Sequence, residues 1–215
     1  MISSEAEARG WIQATLQPST AQWQQLERYA AMLVAANATQ NLLAASTIPA
    51  LWVRHIADSA QLLVHDRRDG DGLWLDLGSG PGLPGLVAAI LTERPVWLVE
   101  SRALRCRFLG EVIDALDLAR RVTVQPLRLE RVAATAAATI SARAFAPLPR
   151  LIDLSARFST VTTRWLLPKG QNAAKELALL TPAWHKLFHV EQSLTDAASG
   201  IIIGTGTVQE RQKNK

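Results

Sequence analysis

Trp74-Leu75-Asp76-Leu77-Gly78-Ser79-Gly80-Pro81-Gly82-Leu83-Pro84-Gly85 reads as a strand, a glycine-dense turn and the start of a helix. The apolar run Leu73, Trp74, Leu75 and Leu77 suits a short strand buried on both faces. Gly78, Gly80 and Gly82 stand where a backbone must turn sharply and meet a ligand closely. Pro84 is tolerable in the first turn of the next helix, where its missing N–H has no partner to lose. Such a strand–turn–helix is expected to present backbone N–H groups to a nucleotide-like cofactor.

Three readings of the turn stay open on these residues. Gly80–Gly85 matches G-x-G-x-x-G, the dinucleotide fingerprint, with Glu100 as the acidic residue about 20 positions on. Asp76-Leu77-Gly78-Ser79-Gly80-Pro81-Gly82 matches the acidic-x-G-x-G-x-G turn of S-adenosylmethionine-dependent methyltransferases. The second match explains Asp76, which the first ignores. Pro81 also removes an N–H that a pyrophosphate could use, and S-adenosylmethionine has no phosphate to cradle. The third reading is a glycine-rich turn with no ligand. The methyltransferase reading accounts for the most residues.

Working outward, seven strand signals alternate with helices. Strands fit near 73–77, 96–100, 122–125, 138–142, 161–167, 185–192 and 200–204, and helices near 84–92, 103–116, 147–157 and 172–180. This is the pattern of an α/β fold: a mostly parallel, Rossmann-like sheet of seven strands with helices on both faces. Ligands bind such sheets at the carboxyl ends of the strands, near the point where strand order reverses. Ahead of the sheet, residues 4–64 read as helical, with Thr20 as a candidate N-cap and Pro49 as a helix start. His65–Gly72 is the clearest linker. The expected division is an N-terminal helical extension over 1–68, the transferase domain over 69–208, and a flexible polar tail over 209–215. Ala133–Ala138 reads as a loose surface stretch.

Composition narrows the class. A chain of 215 residues with 48% hydrophobic and 20% charged side chains is globular. A net charge of +4 leans towards a polyanionic partner. Cys106 is the sole cysteine, which excludes an internal disulfide and a cysteine metal cluster. Met1–Glu5 lacks the basic-then-apolar pattern of a signal peptide, and no apolar run is long enough to span a bilayer, so a cytoplasmic compartment is expected. Of the tryptophans, Trp23, Trp52, Trp74, Trp97 and Trp165 fall at apolar-periodic positions and read as core.

Six short motifs lie in order along the chain: Asn41-Leu42, Arg54-His55-Ile56-Ala57-Asp58-Ser59, the Asp76–Gly85 turn, Arg107-Phe108-Leu109, Ser141–Ala146 and Lys169-Gly170. Together they closely resemble the bacterial 16S ribosomal RNA guanine-N(7) methyltransferase family (small-subunit methyltransferase G, also called glucose-inhibited division protein B), from about residue 20 to 205. The resemblance implies a class I methyltransferase fold, S-adenosyl-L-methionine as methyl donor, no metal, and a guanine in the 530 loop of 16S rRNA as acceptor. The expected partner is 16S rRNA or the small subunit, met by a monomer with no membrane association.

Carried over by position, Gly78 and Leu83 look like cofactor-loop contacts. Leu129 and Glu130 fall at the adenine end, Glu100 at the ribose, and Arg143 where the family places a cofactor-site arginine. Asp76, Gly80 and Gly82 complete the cofactor set. Arg54, His55, Arg105, Phe145 and Lys169 are candidates for RNA contact, and Arg102 and Arg107 extend that basic patch. No catalytic side chain is assigned. The chain departs from the family pattern at Leu43, at Ala136–Thr139 and at Arg102–Arg105.

The chemistry agrees with that blank. N7 of guanine carries a free lone pair and no proton, so its methylation needs no general base. Exocyclic-amine methylation calls for an Asn/Asp-Pro-Pro-aromatic turn after the fourth strand, where this chain has Ser141–Pro147. Carbon-5 methylation of pyrimidines needs a nucleophilic cysteine, and Cys106 reads as a packing residue within a helix. The competing functions are a nucleotide-dependent oxidoreductase and a non-catalytic RNA-binding factor of ribosome assembly.

Overall fold

The structure is a computed structural model that describes residues 1–66 and 72–208. Seven strands form one sheet: β1 (Trp74–Leu77), β2 (Val96–Val99), β3 (Val122–Gln125), β4 (Thr139–Ser141), β5 (Arg164–Gly170), β6 (Phe188–Gln192) and β7 (Gly200–Thr205). Their order is β3-β2-β1-β4-β5-β7-β6, and only β7 runs antiparallel to its two neighbours. Strand order reverses between β1 and β4, which opens the crevice at their carboxyl ends.

β1 shows why the pattern folds this way. All four of its residues are buried, as expected for a strand covered on both faces. Trp74 joins one apolar cluster, and Leu75 and Leu77 join the other. The first cluster lies under α1 (Glu5–Leu16), α2 (Thr20–Gln40), α5 (Gly85–Leu91) and α6 (Ala103–Ala115). The second lies under α7 (Leu148–Ser155), α8 (Ala173–Ala178) and α9 (Pro182–His185). The N-terminal helices therefore share one core with the sheet.

Between α2 and β1 the chain makes a 3-10 turn (Ala45–Ala50), a π-helical turn (Trp52–Ala57) and two short helices, α3 (Asp58–Ala60) and α4 (Leu62–His65). Pro49 sits inside the 3-10 turn instead of starting a helix. Trp52, Trp74 and Trp165 are buried in the core as expected, while Trp23 and Trp97 pack on it half-buried.

Several boundaries differ from the sequence reading for local reasons. The cap of α2 is Ser19, not Thr20, because Ser19 and Gln22 form a reciprocal capping box. β5 starts at Arg164, not near 161. Thr160 and Thr163 close a turn on each other, with Thr160 N donating to Thr163 Oγ1 at 2.7 Å, so β-branched residues here serve a turn. β6 starts at Phe188 because Thr181 and Pro182 open a helical turn first. Ala133–Ala138 is irregular, yet Ala137 is buried. The expected linker begins as structure, since Asp66 makes a buried ion pair with Arg94 and accepts from Thr139. Residues 67–71, which contain the 68/69 boundary, and the tail 209–215 lie outside the described residues.

Candidate active site at the strand ends

Asp76 organises the floor of the glycine turn. It is fully buried; Oδ1 accepts from Ser141 Oγ at 2.6 Å and Oδ2 from Gly85 N at 3.3 Å. Ser141 in turn accepts from the Trp74 indole at 2.8 Å. Burial pushes the Asp76 carboxyl up to about 6, against the opposing pull of these hydrogen bonds and of the Arg143 charge. Gly85 is glycine for space: a Cβ there would lie 2.4 Å from Leu98 and 2.8 Å from Asp76 Oδ2. From the helical side, the Tyr29 hydroxyl, fully buried, donates to Pro81 O at 2.9 Å.

Most of the turn's N–H groups already have partners, in the turn or on the neighbouring strand end. Ser79 N donates to Val99 O, Gly82 N and Leu83 N to Ser79 O, and Gly80 N to Glu100 Oε2. Pro81 has none. The expectation that the turn would present a row of N–H groups is therefore corrected. A loop with so many of its donors already bonded is a poor pyrophosphate cradle, which counts against the dinucleotide reading.

Two cavities meet above this floor. One, of about 610 Å³, is lined by Gly78, Glu100, Leu129, Glu130 and Phe145, with Arg102, Arg105, Arg128 and Arg150 around it. Glu100 is 6% exposed; its Oε1 accepts from Arg102 N at 2.8 Å and its Oε2 from Gly80 N at 3.1 Å. Each oxygen keeps a lone pair for a further donor. Leu129 lines the cavity as a buried apolar residue, 2% exposed. The other cavity, of about 670 Å³, is lined by Leu42, His55, Asp58, Arg143, Lys169 and Asp196 among others. Ala144, Phe145, Ala146 and Pro147 line both cavities and form the partition between them.

The partition is held in an unusual backbone state. Ala144 lies in the left-handed region at φ 54°, a conformation that L side chains rarely take. Phe145 covers Gly78, where any Cβ would lie 2.5 Å from its ring. Lys169, only 6% exposed, donates to Ala146 O at 2.6 Å and pairs with Glu176 at 3.0 Å.

These positions revise the sequence reading. Gly78, Glu100, Leu129 and Glu130 do converge on one cavity. Asp76, Gly80, Gly82 and Leu83 are buried beneath or within the turn and line neither cavity. Arg143 lines the second cavity, not the first. Arg105 lies at the first cavity, 3.6 Å from Glu100, together with Arg102, Arg128 and Arg150. Lys169 is spent on the partition and is not offered to phosphate. Arg54 is exposed and pairs with Asp196 at 3.0 Å. Cys106 donates to Glu100 O at 3.1 Å; burial and the Glu100 charge push its thiol up, which does not suit a nucleophile.

Tyr29, Ser141 and Thr47 escaped the sequence reading. Each acts through a contact distant in sequence or around a loop, and only Tyr29, on the apolar face of α2, left a periodic trace. Among the described residues no cluster of His, Cys, Asp and Glu is arranged to hold a metal.

The fold and site define a class I S-adenosylmethionine-dependent methyltransferase. A putative O-methyltransferase from Klebsiella pneumoniae superposes with a TM-score of 0.63 at 14% identity, over 96% of this chain and 98% of its own. Geranyl diphosphate C-methyltransferase from Streptomyces coelicolor superposes with a TM-score of 0.57 at 13% identity, over 71% of this chain and 79% of its own. The family described as rRNA small subunit methyltransferase G matches residues 22–201, and the chain belongs to it. Ribosomal RNA small subunit methyltransferase G of Sphingopyxis alaskensis is 64% identical over the whole chain and 92% of its own length. That of Novosphingobium aromaticivorans is 53% identical over 94% of this chain and 89% of its own.

The residues fit the cofactor that the class uses. Glu100 has acceptor capacity that would suit two ribose hydroxyls, Leu129 would lie beside the adenine, and Gly78 would give a floor without a side chain.

Proposed function

We propose that the chain transfers a methyl group from S-adenosyl-L-methionine to N7 of a guanine in the 530 loop of 16S rRNA. The observation that carries this reading is the pair of cavities back to back across Ala144–Pro147, one suited to a nucleoside cofactor and the other open to a base. When bound, the cofactor supplies an electrophilic methyl on a sulfonium. The protein's work is then to hold nucleophile, methyl carbon and sulfur in line, which proximity and orientation supply without an acid or a base.

The acceptor cavity suits a purine that becomes positively charged. Asp58, Glu176 and Asp196 line it, each beside its own cation: Arg143, Lys169 and Arg54. Carboxylates lining a cavity can stabilise a positive charge that develops inside it. Phe145, on the partition, is placed to stack on the acceptor base. Arg54 remains the RNA-contact candidate on that rim, and Arg102, Arg128 and Arg150 give the rim of the cofactor cavity a charge suited to phosphates. Gly78, Glu100, Leu129 and Glu130 are our contacts for the cofactor's nucleoside, Arg143 at the edge of the second cavity is left for its amino-acid arm, and Leu83 and the other turn residues shape the loop.

We further read residues 1–68 as a helical extension of a transferase domain spanning 69–208, and the protein as a cytoplasmic monomer that meets 16S rRNA or the small subunit. No described helix is long and apolar enough to cross a membrane.

The test is methyl transfer from labelled S-adenosylmethionine to small subunits and to naked 16S rRNA from a strain lacking this gene, with 7-methylguanine mapped by chemical cleavage. One labelled guanine in the 530 loop is the expected result. S-adenosylhomocysteine binding without any label in rRNA would overturn the target and favour an assembly factor that retains the fold. Binding of NAD(H) in its place would overturn the methyltransferase reading.

A further inference from the structure

His55 and Thr47 fix the state of Arg143 by a chain of hydrogen bonds with one solution. Thr47 Oγ1 donates its only proton to Ala44 O at 2.7 Å. The same oxygen lies 2.8 Å from His55 Nε2, so it must accept there, and Nε2 carries the imidazole proton. Nδ1 is then a bare lone pair, and it faces Arg143 Nη1 at 3.3 Å. Arg54 O at 3.4 Å and Asp58 Oδ2 at 3.3 Å face that same nitrogen. Asp58 is itself held, its Oδ1 accepting from Thr195 Oγ1 and Gln61 Nε2 at 2.9 Å each. All three acceptors come from one helical turn, and they engage only Nη1. Among the described residues no hydrogen bond takes Arg143 Nε or Nη2, and its side chain is 20% exposed.

Strand order says what the free edge meets. Leu129 follows β3, Glu100 follows β2, Gly78 follows β1 and Arg143 follows β4, and these strands are neighbours in that order. A linear ligand with its adenine at Leu129 and ribose at Glu100 carries its sulfur over Gly78. Its amino-acid arm then points to the end of β4. The Arg143 charge already reaches Asp76 and Tyr29 beneath the glycine turn. The arm's carboxylate is the one anionic group of the cofactor, and a guanidinium edge is its natural partner.

We propose that His55 is a positioning residue for the cofactor. Locked by Thr47 as the Nε2–H tautomer, it holds Arg143 by one nitrogen and leaves the other edge of the guanidinium for the cofactor's amino-acid carboxylate. The proposal rests on the methyltransferase reading above and assigns His55 a role other than direct RNA contact. Burial and the two neighbouring arginines hold its imidazole down to about 3, so it stays a neutral acceptor at working pH.

Two ligands separate this role from a merely structural one. S-adenosylhomocysteine carries the amino-acid arm; 5′-methylthioadenosine lacks it. Calorimetry on His55→Ala should show S-adenosylhomocysteine weakened about tenfold, the cost of one charge-assisted hydrogen bond, with methylthioadenosine unchanged. His55→Asn, whose amide oxygen falls near the Nδ1 position, should restore most of the loss. His55→Gln, which reaches towards Thr47 instead, should not. Equal weakening of both ligands, or of neither, overturns the proposal. Nitrogen NMR of the wild-type imidazole needs no variant to fold: a protonated Nε2 with a bare Nδ1 is expected, and the opposite tautomer overturns it. If the wild type binds neither ligand, the methyltransferase reading fails instead.

Discussion

Replacing Asp76 with asparagine should remove a pH dependence that the fold carries in its centre. The Asp76 carboxyl is fully buried, and burial raises it from 3.8 to about 6. A shift of about two units corresponds to about 3 kcal/mol between the two protonation states. The sign follows from linkage. Because Asp76 binds its proton more tightly when folded, the folded state holds more proton between the two values. Its contribution therefore favours folding at pH 4 and is lost as pH rises through about 6. An asparagine amide does not titrate and carries no such dependence. His55 acts in the opposite sense, since its lowered value makes folding less favourable as pH falls below 6.5. It is present in both proteins and cancels in their difference. Urea unfolding of wild type and Asp76→Asn at intervals from pH 4 to 8 measures that difference. The variant's stability relative to wild type should rise by about 3 kcal/mol between pH 4 and pH 7 and then level off. A flat difference would mean that the carboxyl is not shifted. A falling one would mean that Ser141, Gly85 and Arg143 stabilise the anion more than burial penalises it.

Other consequences can be checked with single substitutions. Gly85→Ala places a Cβ 2.4 Å from Leu98 and should cost about 2 kcal/mol in thermal or urea unfolding, with loss of S-adenosylhomocysteine binding. Gly110→Ala, in α6 with nothing within 4 Å, should instead gain about 0.5–1 kcal/mol. Tyr29→Phe leaves Pro81 O without its buried donor; a stability loss of about 1–2 kcal/mol and a weaker cofactor Kd are expected, and an unchanged Kd would detach Tyr29 from the turn. Lys169→Met releases Ala146 O and Glu176, so methyl transfer to rRNA should drop about tenfold while S-adenosylhomocysteine affinity holds. An equal fall in affinity would show that Lys169 holds the partition for the cofactor cavity as much as for the acceptor cavity.

The sequence by itself determined the architecture, because its signals are local. Short strand-forming runs bounded by turn residues read as strands, and seven of them interspersed with helical periods point to a mostly parallel sheet covered on both faces. The order of motifs brought Gly78, Glu100, Leu129 and Glu130 to one cavity, since each follows a strand and the sheet brings strand ends together. Local signals failed where hydrogen bonds competed with propensity, as at Thr160–Thr163, where β-branched residues close a turn. What only the tertiary structure decided is how each polar side chain is spent. Lys169 looks in sequence like a phosphate ligand and is a strut for Ala146. Arg143 follows a strand as a cofactor residue should, yet its direction is set by Thr47, His55 and Asp58 from the helical segment, some 90 residues earlier. The turn has the glycines of a phosphate cradle, but most of its donors already have partners. A hydrogen bond is directional and saturable, and its partner can come from anywhere in the chain. Periodicity carries the hydrophobic pattern that builds the sheet, and carries nothing about which proton meets which lone pair.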